Sequence, residues 1–254
     1  MVNVGDWYRE LDTIAPFNTA EAWDNVGILV GSADMPVKSV LFALDVTNAV
    51  IDEAKEYGCE LIITHHPIIF EPLKALPAES LVYKLAAAGI SVISAHTNLD
   101  VAANGVNHAF AQMLGLKNVR GLQMLQGDIA LGRVGELEEP LSAKELALVL
   151  KQRINVGTVR LVEGIEKIST VAICGGSGCM LLHDAVRAGA QALITGEAKH
   201  NELLLAKELG ITLIDAGHHN TEVVVIRPLA EMLENKFSGC KIFISSAEEP
   251  ASYV

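Results

Sequence analysis

The sequence is poor in aromatic residues, in clustered basic residues and in long apolar runs, and each shortage removes a class of protein. Only 5% of the 254 residues are Phe, Trp or Tyr, while 50% are hydrophobic. The core must therefore come mostly from Leu, Ile, Val and Ala. Lys and Arg number 19 against 31 Asp and Glu, a formal charge of −12. The basic residues are scattered, so the chain lacks the cation clusters that grip a phosphate backbone. Nucleic acid is not an expected partner. No apolar run reaches the roughly 20 residues of a spanning helix, and Met1 to Arg9 shows no basic segment leading into an apolar one, as a signal peptide would. No membrane partner and a cytoplasmic location are expected. The four cysteines, Cys59, Cys174, Cys179 and Cys240, form no CxxC pair. A chain of this size needs no disulfide staples, so reduced thiols are expected.

What is present is strand–helix alternation. Val4 to Ala15 reads as a helix ended by Pro16. Trp23-Asp24-Asn25-Val26-Gly27 leads into a short apolar strand closed by Gly31. A strand follows within Val37 to Val46, then a helix capped by Thr47 and ended near Gly58. Further on, a helix from about Glu79 to Ala88, a strand from Ile90 to Ala95 and a helix from Gly105 to Leu114 follow in turn. Such alternation indicates parallel βαβ units. Gly121 to Gly135 is rich in Gly and Gln and weakly periodic, and reads as the crossing into a second lobe. Beyond it, Ser142 caps a helix to about Arg153, and Val159 to Val162 and Ser169 to Ile173 read as strands.

The second half echoes the first. Gly58-Cys59-Glu60-Leu61-Ile62-Ile63-Thr64 matches Gly189-Ala190-Gln191-Ala192-Leu193-Ile194-Thr195 at a step of 131. Gly89 to Ala95 matches Gly210 to Ala216 at a step of 121. The expected architecture is α/β, with two similar lobes, 1–122 and 123–254, and mostly parallel sheets; the C-terminal segment is able to pack back on the first lobe.

Three strands run into polar ends. Leu61-Ile62-Ile63-Thr64 stops at His65-His66-Pro67, because Pro67 cannot donate to a ladder. Open α/β sheets place ligands at such carboxyl ends. The others are His96-Thr97-Asn98-Leu99-Asp100 and His218-His219-Asn220-Thr221-Glu222. Adjacent residues of a regular strand face opposite ways. Either the backbone leaves the strand at Thr64, or His65 and His66 serve different ions. His218 and Glu222 share a face if a helix starts there. His65, His66, Asp100, His218 and Glu222 then form a mixed N/O set suited to two divalent transition-metal cations, with Zn, Fe, Mn and Ni not distinguishable. Glu197, which sits where the second half aligns with His66, and His96 are candidate proton carriers. The bland readings stand beside these: His96 as a loop residue, and His108, His183 and His200 on helix surfaces. Cys174-Gly175-Gly176-Ser177-Gly178-Cys179 is either an anion-binding loop or a tight turn.

Together with Thr195-Gly196-Glu197, these motifs resemble the GTP cyclohydrolase 1 type 2 homologue family, the Nif-three-like proteins, along nearly the whole chain. The resemblance implies two α/β lobes with a dinuclear metal centre in the cleft between them, and a toroidal homohexamer. It implies His65, His66, Asp100, His218 and Glu222 as ligands, with Glu222 bridging. His219 competes with His218, and the letters leave that choice open, with His218 preferred. The expected activity is metal-dependent hydrolysis of a small molecule, such as a nucleotide or a cyclic amidine or amide; the alternative is a non-enzymatic metal-binding scaffold. Some family members insert a domain between the halves. Gly121 to Val156 leaves no room for one, so this is the compact form.

Overall fold

The computed structural model describes residues 2–127, 129–164 and 167–247. In chain order the helices and strands are α1 (Val4–Ile14), β1 (Gly27–Val30), β2 (Ser39–Ala43), α2 (Asn48–Glu56), β3 (Leu61–Thr64), α3 (Leu81–Ala88), β4 (Ser91–Ser94) and α4 (Thr97–Val101). They continue as α5 (Val106–Leu114), β5 (Lys117–Gln126), β6 (Ile129–Leu141), α6 (Ala143–Arg153), β7 (Arg160–Val162), β8 (Ile168–Cys174) and α7 (Leu182–Arg187). Last come β9 (Ala192–Thr195), α8 (His200–Leu209), β10 (Thr212–Asp215), α9 (His218–Glu222), α10 (Ile226–Glu234) and β11 (Lys241–Ile244).

The chain divides into two compact units. The first runs to Leu99 and resumes at Ile226; the second is Asp100–Val225. The first unit's sheet has the order β1-β4-β3-β2-β11, parallel except where β1 meets β4. All five residues of β2 and all four of β3 are buried, as in a sheet covered on both faces. Leu41, Ala43 and Ile62 face α2 and α3 in one apolar cluster with Ile51 and Leu85. Phe42, on the alternate face, meets Trp7 of α1, which stacks on Phe237 at 4.0 Å. Each such Leu, Ile or Phe contributes about 1.5–3 kcal/mol by leaving water. Local signals start the helices. Asn3 and Asp6 form a capping box on α1, Thr47 caps α2, and Gly89 ends α3 with φ +70°.

The second unit's sheet has the order β5-β6-β8-β9-β10-β7. It is parallel over β8, β9 and β10 and antiparallel in its other pairings. The helices α7 and α8 contribute to the cluster on one face, with Leu182, Ala185 and Ala206 against Leu193 and Leu213. The sheets thus share a four-strand pattern, β1-β4-β3-β2 and β7-β10-β9-β8. Registers agree as well. Thr64 lies beside Ala43 and Ser94, and Thr195 beside Cys174 and Asp215. These residues keep the 131 and 121 steps seen in the sequence.

Two expectations differ from the structure. Gly121 to Gly135 is no crossing segment but belongs to two paired strands, β5 and β6. A side chain at Gly135 would come within 2.9 Å of the Lys117 carbonyl, so this glycine permits close strand approach and does not mark a loop. Secondly, the change of unit falls at 99/100, before α5, and not at 122/123. The hairpin's long ladder to β8 fixes residues 117–126 in the second sheet. The C-terminal strand β11 pairs with β2 in the first.

Candidate metal centre

In the first unit the backbone leaves the strand at Thr64, the first of the two alternatives. Thr64 Oγ1 donates to the His66 carbonyl at 3.0 Å, turning the chain immediately after β3. The rings of His65 and His66 therefore lie on the same side, with centroids 4.9 Å apart. Opposite strand faces therefore do not separate the two rings, and their adjacency does not by itself require two ions. His96, at the end of neighbouring β4, brings a third ring 5.2 Å from His65 and 5.5 Å from His66. One nitrogen of each ring lies within 4.8 Å of the others.

All three rings are held by Nδ1. His65 Nδ1 donates to the Ala95 carbonyl at 2.9 Å. His66 Nδ1 bonds the Asp45 carboxylate at 2.7 Å, and His96 Nδ1 bonds Asp24 at 2.8 Å. An acceptor at Nδ1 fixes the proton there, which in the neutral ring puts the lone pair on Nε2. This outer-partner pattern is that of metal-ligating histidines. Asp24, with a side-chain exposure of 0%, also accepts from the Thr97 amide and hydroxyl. Burial opposes its ionisation, but the bonds from His96 and Thr97 outweigh this and lower its pKa to about 2. In the sequence Asp24 stands only within the Trp23–Gly27 motif; its role depends on a contact 72 residues away.

In the second unit α9 forms as the spacing required. His218 Nε2 lies 3.2 Å from Glu222 Oε2, and its Nδ1 lies 3.3 Å from Glu197. His218, not His219, makes this pair. Glu222 is 4% exposed. Gly176, with φ +59°, lies under it, and any Cβ there would collide with the carboxylate. The glycine loop reads accordingly. Amides of Gly175, Gly176 and Gly178 bond Asn107, Thr221 and Thr195 at 2.8–3.0 Å, so the loop is a tight turn supporting α9, not an anion nest. Asp100 lies on α4, its carbonyl accepting from Asn107 at 3.0 Å. Burial and the charges of Asp100 and Glu222 push the Cys174 thiol well up, and burial raises Cys179 to about 12. Neither cysteine is a nucleophile at neutral pH. His183 and His200 are exposed on helices as expected, and His108 is half-buried on α5.

The donor set fits a divalent transition metal. In the first unit imidazoles anchored through Nδ1, and in the second a histidine beside a carboxylate over a glycine cradle, are each N/O ligands of the kind such ions take. The fold and these groups define a class: α/β proteins with histidine and carboxylate groups able to hold metal at the ends of their strands. Within that class, the Duf34/NIF3 (NGG1p interacting factor 3) family profile matches residues 2–250, and the chain belongs to this family. It is 32% identical to a GTP cyclohydrolase 1 type 2 homolog of Clostridium perfringens, with 100% of both chains covered. It is 35% identical to that of Lactococcus lactis, with 99% of both covered. The solved Staphylococcus aureus hypothetical protein SA1388 superposes with a TM-score of 0.95 at 33% identity, covering 100% of this chain and 99% of that one. Among the described residues no helix is long and apolar enough to cross a membrane.

Proposed function

We propose that this protein is a divalent-metal-dependent hydrolase of a small molecule, working as a homohexamer in the cytoplasm. The observation that carries this is the three imidazoles at the ends of β3 and β4, each held through Nδ1 by an acceptor of its own. His65, His66, Asp100, His218 and Glu222 are the residues that would hold two divalent cations. When bound, such cations supply Lewis-acid charge and an acidified water.

The chain's own groups do the rest. His96, its Nδ1 proton held by Asp24, offers Nε2 to take or return a proton. Glu197, exposed and bonded to His218 Nδ1, is the second proton carrier and also orients that ring. The relatives' name, GTP cyclohydrolase 1 type 2 homolog, favours a nucleotide substrate. The rival reading is a metal-binding scaffold without turnover.

Metal analysis of the purified protein, followed by turnover assays of metal-loaded protein on nucleotide, phosphoester and cyclic-amide panels, tests both. Glu222→Ala should lose metal and activity together. Activity that survives metal loss sinks the hydrolase, and a metal-loaded protein inert on every panel favours the scaffold.

A further inference from the structure

Aromatic residues are scarce in this chain, yet the two most exposed among the described residues stand together beside the histidine cluster. Trp23 is 59% and Phe70 51% exposed, with ring centroids 5.8 Å apart and planes tilted by 52°. Trp23 lies 6.2 Å from the His96 ring and Phe70 6.5 Å from it, both edge-on. These spacings fall in the range of aromatic pairs.

The segment bearing Trp23 is tightly bonded. The Glu21 amide donates to Thr97 Oγ1 at 3.0 Å, and Thr97 Oγ1 donates to Asp24 at 2.6 Å. Asp24 accepts from His96 Nδ1, and Asn25 Nδ2 donates to the Ile69 carbonyl at 2.5 Å, joining this segment to the one that bears Phe70. The bonds on either side of Trp23 fix its backbone, while its indole remains in water. Trp7, in contrast, is fully buried. A large apolar ring held in solvent by a buried carboxylate network is a surface prepared for a flat partner.

We infer that Trp23 and Phe70, with His96 as the third ring, form a stacking subsite for a neutral, planar nitrogen heterocycle of the substrate. As a substrate subsite it rests on the hydrolase reading; as a binding surface it does not need the metal. Stacking on an aromatic side chain is worth about 1–3 kcal/mol per base, which converts to roughly 5- to 150-fold in affinity.

The test uses the full chain stripped with EDTA and titrated with guanosine monophosphate, nicotinamide and ribose 5-phosphate. Emission of the exposed tryptophan reports binding. Saturable quenching by the two heterocycles and none by the ribose phosphate is expected. Phe70→Leu keeps apolar bulk without a ring and should weaken heterocycle binding roughly 5- to 150-fold, as should Trp23→Ala measured by equilibrium dialysis. Trp23→Phe should restore most of it, and unchanged circular dichroism should show each variant folded. The inference is overturned by equal binding of ribose phosphate, by unchanged affinity in folded Phe70→Leu and Trp23→Ala, or by no saturable heterocycle binding. Metal content of the wild-type chain as purified separates the two readings: metal present but no saturable heterocycle binding strikes the subsite alone, while no metal with heterocycle binding intact strikes the hydrolase alone.

Discussion

The two units carry the same four-strand frame and fill it with opposite chemistry. At the end of β3 stand His65 and His66; at the matching end of β9 stand Gly196 and Glu197. Asp45, which holds His66 by its Nδ1, is matched 131 residues later by Gly176, which clears space for Glu222. The short helices α4 and α9 are also matched, and at the step of 121 Thr97 and Val101 align with His218 and Glu222. The first unit offers a cluster of imidazoles, while the second pairs one imidazole with carboxylates. A duplicated frame evidently constrains where donors can stand, not which donors they are.

That contrast is open to direct test. The largest effect should come from His65→Ala and His66→Ala. Each should cut metal affinity by at least about 100-fold, since loss of an outer partner alone costs 10–100-fold. Competition with a chromophoric chelator measures this, and a cut below tenfold would remove the first unit from the site. Next is Gly176→Ala, which places a Cβ against Glu222 at a positive φ. Denaturant unfolding should show a loss of about 2–4 kcal/mol, from overpacking and left-handed strain together. Unchanged stability would mean Glu222 is not pinned as described.

Acid titration of stability probes Asp24. Its pKa is depressed from 3.8 to about 2 when folded, so its contribution is complete above pH 4 and disappears as the pH falls toward 2. Asp24→Asn should lower stability at pH 7 by about 2 kcal/mol and flatten the slope between pH 4 and 2. A variant with the wild-type slope in that window counts against the buried Asp24–His96 pair. The smallest effects compare the two outer carboxylates. Asp45→Asn should weaken metal binding about 10- to 100-fold, and Glu197→Gln, at a longer contact on an exposed pair, by about tenfold or less. Equal effects would erase the asymmetry between the units.

Much of this was legible in the letters. Apolar runs ending in His65-His66 and in Ala95-His96 marked strands and their polar ends, because a ladder cannot continue through Pro67 and polar side chains gather where strands stop. The 131 and 121 steps gave the repeat, and the four-residue spacing gave the His218–Glu222 pair. Other features were not legible. Gly121, Gly132 and Gly135 looked like loop glycines, since composition cannot separate a turn from close strand approach. Asp24 stood in a motif but its role had no local signal, as His96 and Thr97, which it holds, lie more than 70 residues on. The Gly175–Gly178 turn was ambiguous until its amides were seen bonded to Asn107, Thr195 and Thr221.

The sequence by itself determined the frame, two βαβ repeats of buried Leu, Ile and Val strands, because periodicity and chain punctuation are local properties. It also named the candidate donors at the strand ends. Only the tertiary structure decided that His65 and His66 point the same way, that His96 joins them, and that Asp24 and Asp45 fix their rings. Those are matters of through-space hydrogen bonding and of where the backbone leaves the strand, and neither is a property of neighbours in the chain.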